Sequence, residues 1–449
     1  MNRRDLLGTL AAASLAPTLN TPAAAAGINA SLPPALAGPR MNFAQADKIM
    51  AELGLDALIL GQSVNLRHAT GLWPVVARMG FPASTFAVVT RNADAPVALV
   101  SRPFTYYYNM ADAHTSLSLP AYLYAAPFTA PDGSDIDSAL NSFRFGDYGE
   151  APVDAIESAR IATTRQAISE YGTYGTLSAA LAAALRVAGV SAGRVAIDHP
   201  AAAVALAEGN AKLTTVDADD ALRRIRPVKS PVEIALMRYA AAGNIAAARE
   251  ALASVESGGS YRELRTEFFA AAARRGQRGV FMVIDRSSDE QFDAPFRDGQ
   301  AFLIDCVSEY EGYHGDYGRT VFIGEPARSM VKATKAMADG WDRVREQLKP
   351  GVKFAEIQAL GATAITQAGS RYRIPFNPHS VGLYHTDHFG LSGLPPVPDM
   401  TLEPGTIISV DCPLMQSGIG GSAHLEDLML ITADGSEPIH DIGDQTITV

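Results

Sequence analysis

Two aspartates in this chain sit inside strand-like apolar runs, where a charge is costly to bury. Asp305 lies within FLIDCV and Asp411 within IISVDCP, and each has a second acid further along the chain, Asp316 and Glu426. An ionised carboxylate in an apolar strand needs a compensating cation. The stretch IDCVSEYEGYHGDYGRT reads as a tight hairpin around a Glu-Gly-Tyr turn. Placing Asp305 opposite Asp316 centres that turn between Tyr310 and Glu311, and opposed Cβ atoms then stand about 4.5–5.5 Å apart. Two anions that close repel unless protonated or bound to a cation. GTIISVDCPLMQSGIGGSAHLEDLMLIT repeats the construction, with strands on both sides of SGIGG. There Asp411 is expected opposite Glu426, around a turn between Gly418 and Ile419.

Imidazole ligands are at hand in FNPHSVGLYHTDHFG, which carries His379, His385 and His388. Two divalent metal ions bridged by carboxylates, with an imidazole completing a shell, form a dinuclear hydrolytic site that activates water and polarises a carbonyl. The oxygen-rich donor set favours manganese, iron or cobalt, with zinc also possible.

The elements that must position these residues follow from periodicity. FAQADKIMAELG reads as a helix closed by Gly54, and DALILG, TFAVVTR, PVALVS and RVAIDH read as strands. TYGTLSAALAAALRVAG reads as an Ala-rich helix between the last two. Helices alternating with short apolar strands predict an α/β domain with a parallel or mixed sheet. The character changes near Val216 to Arg226, where Pro227 and Pro231 punctuate a basic turn before a long helix. Further helices are expected in YRELRTEFFAAAARRG, SMVKATKAMADGWDRVREQL and FAEIQALGATAITQAG. The division is therefore set at 1–26, 27–222 and 223–449.

Residues 1–26 read as a twin-arginine-type signal peptide: Arg3-Arg4, an apolar stretch from Leu6 to Ala16, and small residues before Gly27. The expected location is periplasmic or secreted. Removing Arg3, Arg4 and Asp5 takes the formal charge from −11 to −12. With no basic block, nucleic acid is excluded as an expected partner. No later apolar run reaches the length of a membrane span. Cys306 and Cys412 each follow one of the aspartates and are read as small core residues rather than a disulfide framework.

The chain resembles the creatinase, aminopeptidase P and methionine aminopeptidase superfamily. Besides the acidic hairpins, AELGLDALILGQSVNLRHATGL and RRIRPVKSPVEIALMRYA are similar to segments of its two-domain creatinase and Xaa-Pro peptidase branch. The resemblance implies a creatinase-like α/β N-terminal domain and a C-terminal pita-bread α+β catalytic domain. It places five metal ligands on Asp305, Asp316, His379, Asp411 and Glu426. It further implies a small-molecule or short-peptide substrate and a homodimer.

Three positions depart from the family pattern. Asp411 stands where glutamate is usual. The segment around Ser288 and Asp289 lacks a customary histidine, and His424 occupies the place of an arginine typical of proline-specific members. The second active-site histidine is read as His385, with His388 the competing choice. His424 is read as lying near substrate, or else behind the ligands. His68, His114, His199, His314 and His440 are read as structural. The expected activity is hydrolysis of a small amide or short peptide by metal-activated water, with Asp411 as base and His385 steadying the oxyanion. A metal-dependent lyase of the same fold, acting on dimethylsulfoniopropionate, and a non-catalytic binding shell are the competing readings.

Overall fold

The computed structural model describes residues 40–109, 111, 119–126, 150–209, 212–256, 258–368, 370–389 and 399–449. The expected signal segment and His114 lie outside the described residues. The N-terminal half is built on a seven-stranded sheet with strands β1 (Ala57–Leu60), β2 (Thr85–Thr90), β3 (Val97–Ser101), β4 (Ala121–Ala126), β5 (Thr173–Thr176), β6 (Gly193–Ile197) and β7 (Leu213–Asp217), in the order β5-β4-β3-β2-β1-β6-β7. β1 runs antiparallel to β2 and β2 to β3, while the remaining neighbours are parallel, so the sheet is mixed. β1 and β2 are buried along their whole length, as expected for apolar runs covered on both faces.

One expected helix divides. Thr173–Thr176 pairs in parallel with β4, and the helix begins only at Leu177, where the Thr176 hydroxyl accepts from Ala179 N. The Thr-Tyr-Gly-Thr start suits a strand better than a helix, and the threonine supplies the N-cap.

The C-terminal half faces two four-stranded sheets towards each other's acids. One has the order β15-β10-β9-β8, with β8 (Arg278–Ile284), β9 (Ala301–Tyr310), β10 (Tyr313–Phe322) and β15 (Thr446–Thr448). The other has the order β11-β12-β13-β14, with β11 (Asn377–Ser380), β12 (Ile407–Asp411), β13 (Met429–Ile431) and β14 (Ser436–Pro438). The helix Pro231–Ala251 covers β9 and β10. It starts on a capping box, with the Ser230 hydroxyl accepting from Glu233 N and the Glu233 carboxylate accepting from Ser230 N, and Pro231 opens its first turn. The helices Arg328–Arg345 and Phe354–Gln367 pack their buried Trp341, Val344 and Ile357 into the core of the second sheet.

The first hairpin differs in register from the expectation. Tyr310 pairs with Tyr313 across Glu311 and Gly312, whose φ angles of 55° and 89° suit a two-residue turn with both central residues left-handed. Asp305 therefore faces Gly318, and Asp316 faces Val307. The two acids are diagonal neighbours on one face, not directly opposed. The turn moves the pairing by one step because glycine, at the second central position, adopts positive φ without strain.

The second hairpin keeps its expected register at both ends, with Ile407 opposite Leu430, Ile408 opposite Met429, and Leu414 bridged to Ala423. Between them the expected strand through His424 and Glu426 is not continuous. Glu426 turns its backbone to the other sheet, donating N–H to Gly318 O at 3.1 Å. That bridge joins the two sheets beside their acids. Cys306 and Cys412 are free and buried in different cores.

Candidate metal centre

Five elements converge on one small space. Asp305 comes from β9, Asp316 from β10, His379 from β11, Asp411 from the end of β12, and Glu426 from the segment that bridges the sheets. His379 Nε2 lies 3.1 Å from Asp411 Oδ1, 3.3 Å from Glu426 Oε1 and 3.7 Å from Asp316 Oδ2. Its Nδ1 donates to the His385 carbonyl at 3.0 Å, which leaves Nε2 free to face the carboxylates. The Ser409 hydroxyl donates to Glu426 Oε1 at 2.6 Å.

Of the competing histidines, His385 is the one brought to the acids, with Nε2 3.3 Å from Asp316 Oδ2. His388 turns away: its Nδ1 accepts from Ser380 N, and its ring packs against Phe354. His424 Nε2 lies 3.1 Å from Glu426 Oε2. Its side chain is only 3% exposed, against 28% for Asp411 and 30% for His385. Of the two readings of His424, near substrate or behind the ligands, this difference favours the second, the centre being more open on the side of Asp411 and His385. Ser288 and Asp289 are exposed, and Asp289 accepts from Gln291 N.

The electrostatics are those of a crowded anionic site. Burial, then the Glu426 charge, raises the Asp305 carboxyl well above its usual range, and the same two causes raise Asp411. For Glu426, burial and Asp316 push upward, but hydrogen bonds with Asp411, His379 and His424 outweigh them and hold it at about 2. Burial would lower His385, yet the Asp316 carboxylate raises it to about 9. His424 is likewise raised to about 9 against its burial, by Glu426 and then Asp305.

The donors fit a metal. One ligand atom from each of Asp316, His379, His385 and Glu426 lies within 4.8 Å of the others, and the same holds for Asp305, His424 and Glu426. Among the described residues, Asp305 Oδ1 and Asp316 Oδ1 are buried without a hydrogen-bond partner, and Asp316 Oδ2 meets the His385 and His379 rings at 3.3 and 3.7 Å. Buried carboxylate oxygens of this kind are ones a bound cation would satisfy. Asp411 stands beside His379 but belongs to neither group.

Sequence reading missed the support beneath the His385 loop. Asp387, fully buried, accepts from Lys229 Nζ at 2.7 Å and lies 3.2 Å from Arg226 Nε, while Arg226 also donates to Asn65 Oδ1. The signal was present in NLRHATG and RRIRPVKSPVE, which hold Asn65, Arg226 and Lys229. His68 Nε2 is 3.1 Å from Glu233, whose other role is the helix cap. His314 Nδ1 meets Gly382 O, and His440 Nε2 accepts from Leu428 N. His199 packs edge-on against Phe86.

A mixed-sheet domain followed by two facing sheets flanked by helices is the two-domain architecture with a C-terminal pita-bread fold. Residues 235–433, which take in the elements that build the centre, match the model of metallopeptidase family M24. A probable dipeptidase, PepE, of Mycobacterium tuberculosis is 26% identical over 242 residues, covering 52% of this chain and 63% of that protein. Ectoine hydrolase of Halomonas elongata is 27% identical over 255 residues, covering 50% of this chain and 61% of that protein. The alignments thus span about six-tenths of the length of these curated relatives. Among solved structures, a dipeptidase from Pyrococcus horikoshii OT3 superposes with a TM-score of 0.60 at 15% identity, covering 91% of this chain and 100% of that one. The X-Pro aminopeptidase of Thermotoga maritima gives 0.59 at 14% identity, covering 91% and 99%. No helix among the described residues is long and apolar enough to cross a membrane.

Proposed function

We propose that the protein is a metal-dependent hydrolase of short peptides or small amides, holding two divalent ions with Asp305, Asp316, His379, Asp411 and Glu426. The observation that carries this reading is the meeting of two donor groups at Glu426, with unpartnered carboxylate oxygens buried on Asp305 and Asp316. The dipeptidase and hydrolase names of the relatives support the same reaction class.

When bound, the ions supply Lewis acidity that polarises a carbonyl and makes water acidic enough to attack it. The chain supplies the rest. Asp411 and His385 line the open side, so a substrate carbonyl approaches between them. The Asp411 carboxylate, raised by burial and by Glu426, is suited to take the proton from the attacking water and pass it to the leaving amine. His385, with Nε2 3.3 Å from Asp316 Oδ2, stands on the open side where its imidazole can donate towards the oxyanion. The His379 Nδ1 bond to the His385 carbonyl ties these two histidines into one unit.

Proline selectivity is not part of the proposal, because the customary histidine and arginine are replaced and a site lacking a donor loses selectivity for the group it would bind. Manganese, iron, cobalt or zinc would suit the donors. Export by the Arg3-Arg4 segment, a homodimer, and the domain boundary at 222/223 complete the proposal. The test is turnover of a panel of Xaa-Pro dipeptides, other dipeptides, small amides and sulfonium compounds by metal-loaded protein. Amine release from a peptide or amide is expected. Elimination from the sulfonium compound, with no amide cleaved, would overturn the hydrolase reading.

A further inference from the structure

His424 is buried beside the centre, with its side chain only 3% exposed, and its ring is aimed at two acids. Its Nε2 sits 3.1 Å from Glu426 Oε2, and Asp305, whose Oδ1 has no partner, completes a group whose ligand atoms all lie within 4.8 Å. Among the described residues the ring's other nitrogen, Nδ1, has no hydrogen-bond partner, and Glu426 is the one polar group bonded to the imidazole.

The backbone is shaped to admit this ring. Gly318 is the cross-strand partner of Asp305, and a Cβ at 318 would come within 2.1 Å of His424 Cδ2 and 2.5 Å of Nε2. Any side chain there would drive the imidazole off Asp305. The stem is fixed as well: the Thr320 hydroxyl accepts from His424 N at 3.0 Å and donates to His424 O at 3.1 Å. A pre-set ring beside an unpartnered buried carboxylate is the arrangement of a ligand rather than of a core histidine.

The geometry points to His424 as a metal ligand that, with Asp305 and Glu426, forms the inner of two cation subsites, while Asp316 and His379 serve the outer one. Glu426 is shared, since Oε1 faces His379 and Oε2 faces His424. This assignment rests on the metal-dependent reading above. It also bears on Asp411: that carboxylate stands at the more open edge beside His379, on the side of the outer ion, and the His424 imidazole supplies a donor on the buried side. A nitrogen donor in each subsite shifts preference from manganese towards borderline cations such as zinc and cobalt.

The experiment is equilibrium dialysis of the full chain against zinc, cadmium and manganese, with metal counted by elemental analysis. Wild type is expected to hold about two zinc ions, and His424→Ala and His424→Phe about one, with unchanged circular dichroism. Phenylalanine fills the Gly318 cradle without offering a donor. Two equivalents in both variants, bound within about tenfold of wild-type affinity, would overturn the His424 assignment alone. A wild type that retains no metal would overturn the metal-dependent reading and this assignment with it. A measurement on wild type decides the matter if both variants misfold. In protein labelled with nitrogen-15 histidine and loaded with cadmium-113, both cadmium resonances should show coupling to imidazole nitrogen. One cadmium resonance without such coupling would overturn the assignment.

Discussion

Lys229 Nζ lies 2.7 Å from Asp387 Oδ2, with both side chains fully buried. The pair joins the basic turn ahead of the helix Pro231–Ala251 to the loop that carries His385 and His388, and Arg226 adds a second cation from the same turn. Removing one partner of such a pair leaves an uncompensated buried charge. Lys229→Ala is therefore expected to lower unfolding free energy by about 3–5 kcal/mol. Urea denaturation checks this; a loss below about 1 kcal/mol would mean the pair is not the anchor described.

The same loop predicts an acid transition. Burial, then the charge on His379, holds His388 down to about 4, while the unfolded chain titrates it near 6.5. Its folded value is depressed, so the stability it contributes is present above pH 6.5 and is lost as pH falls towards 4. Asp387 continues the loss at lower pH. Burial would raise it, but Lys229 and Arg226 outweigh burial and hold it below 3.8. Stability should thus fall steadily from about pH 6.5 downward, and His388→Gln should flatten the upper part of that fall. An unchanged slope between pH 6.5 and 4 in the variant would refute the assignment.

Metal should stabilise the fold through Asp316. A cation that binds only the folded protein adds about 2.7 kcal/mol of stability at a hundredfold excess over Kd, and so raises the melting temperature with its concentration. Asp316→Ala, which removes a ligand of the outer ion, is expected to make that rise clearly smaller than in wild type. A metal-dependent rise of equal size in the variant would remove Asp316 from the ligand set.

Asp411 is expected to govern rate more than fold. Asp411→Asn keeps the shape but cannot accept a proton, so kcat should drop by about 10²–10⁴-fold while the melting temperature stays within a few degrees. Asp411→Glu restores the longer arm and should change metal occupancy. Wild-type kcat in Asp411→Asn would require another base.

Much of this centre was legible because its chemistry conflicts with its surroundings: Asp305 and Asp411 stand out by lying in apolar strands. The α/β alternation and the helices after residue 230 were readable from periodicity and from Pro227 and Pro231 ahead of the long helix. The hairpin register was not, since one turn residue shifts every pair and only the φ angles of Glu311 and Gly312 decide it. Asp387 and Lys229 stayed hidden because a buried ion pair 158 positions apart looks, in sequence, like two surface charges. The place of His424 depended on Gly318, which carries no side chain to read.

The central claim is that this anionic centre works only with metal bound, and the direct measurement is dipeptide hydrolysis by one preparation before chelation, after chelation, and after return of manganese, cobalt or zinc. Hydrolysis should disappear on chelation and return as about two ions per chain are taken up again. Hydrolysis that persists in the chelated, metal-free protein would contradict the account.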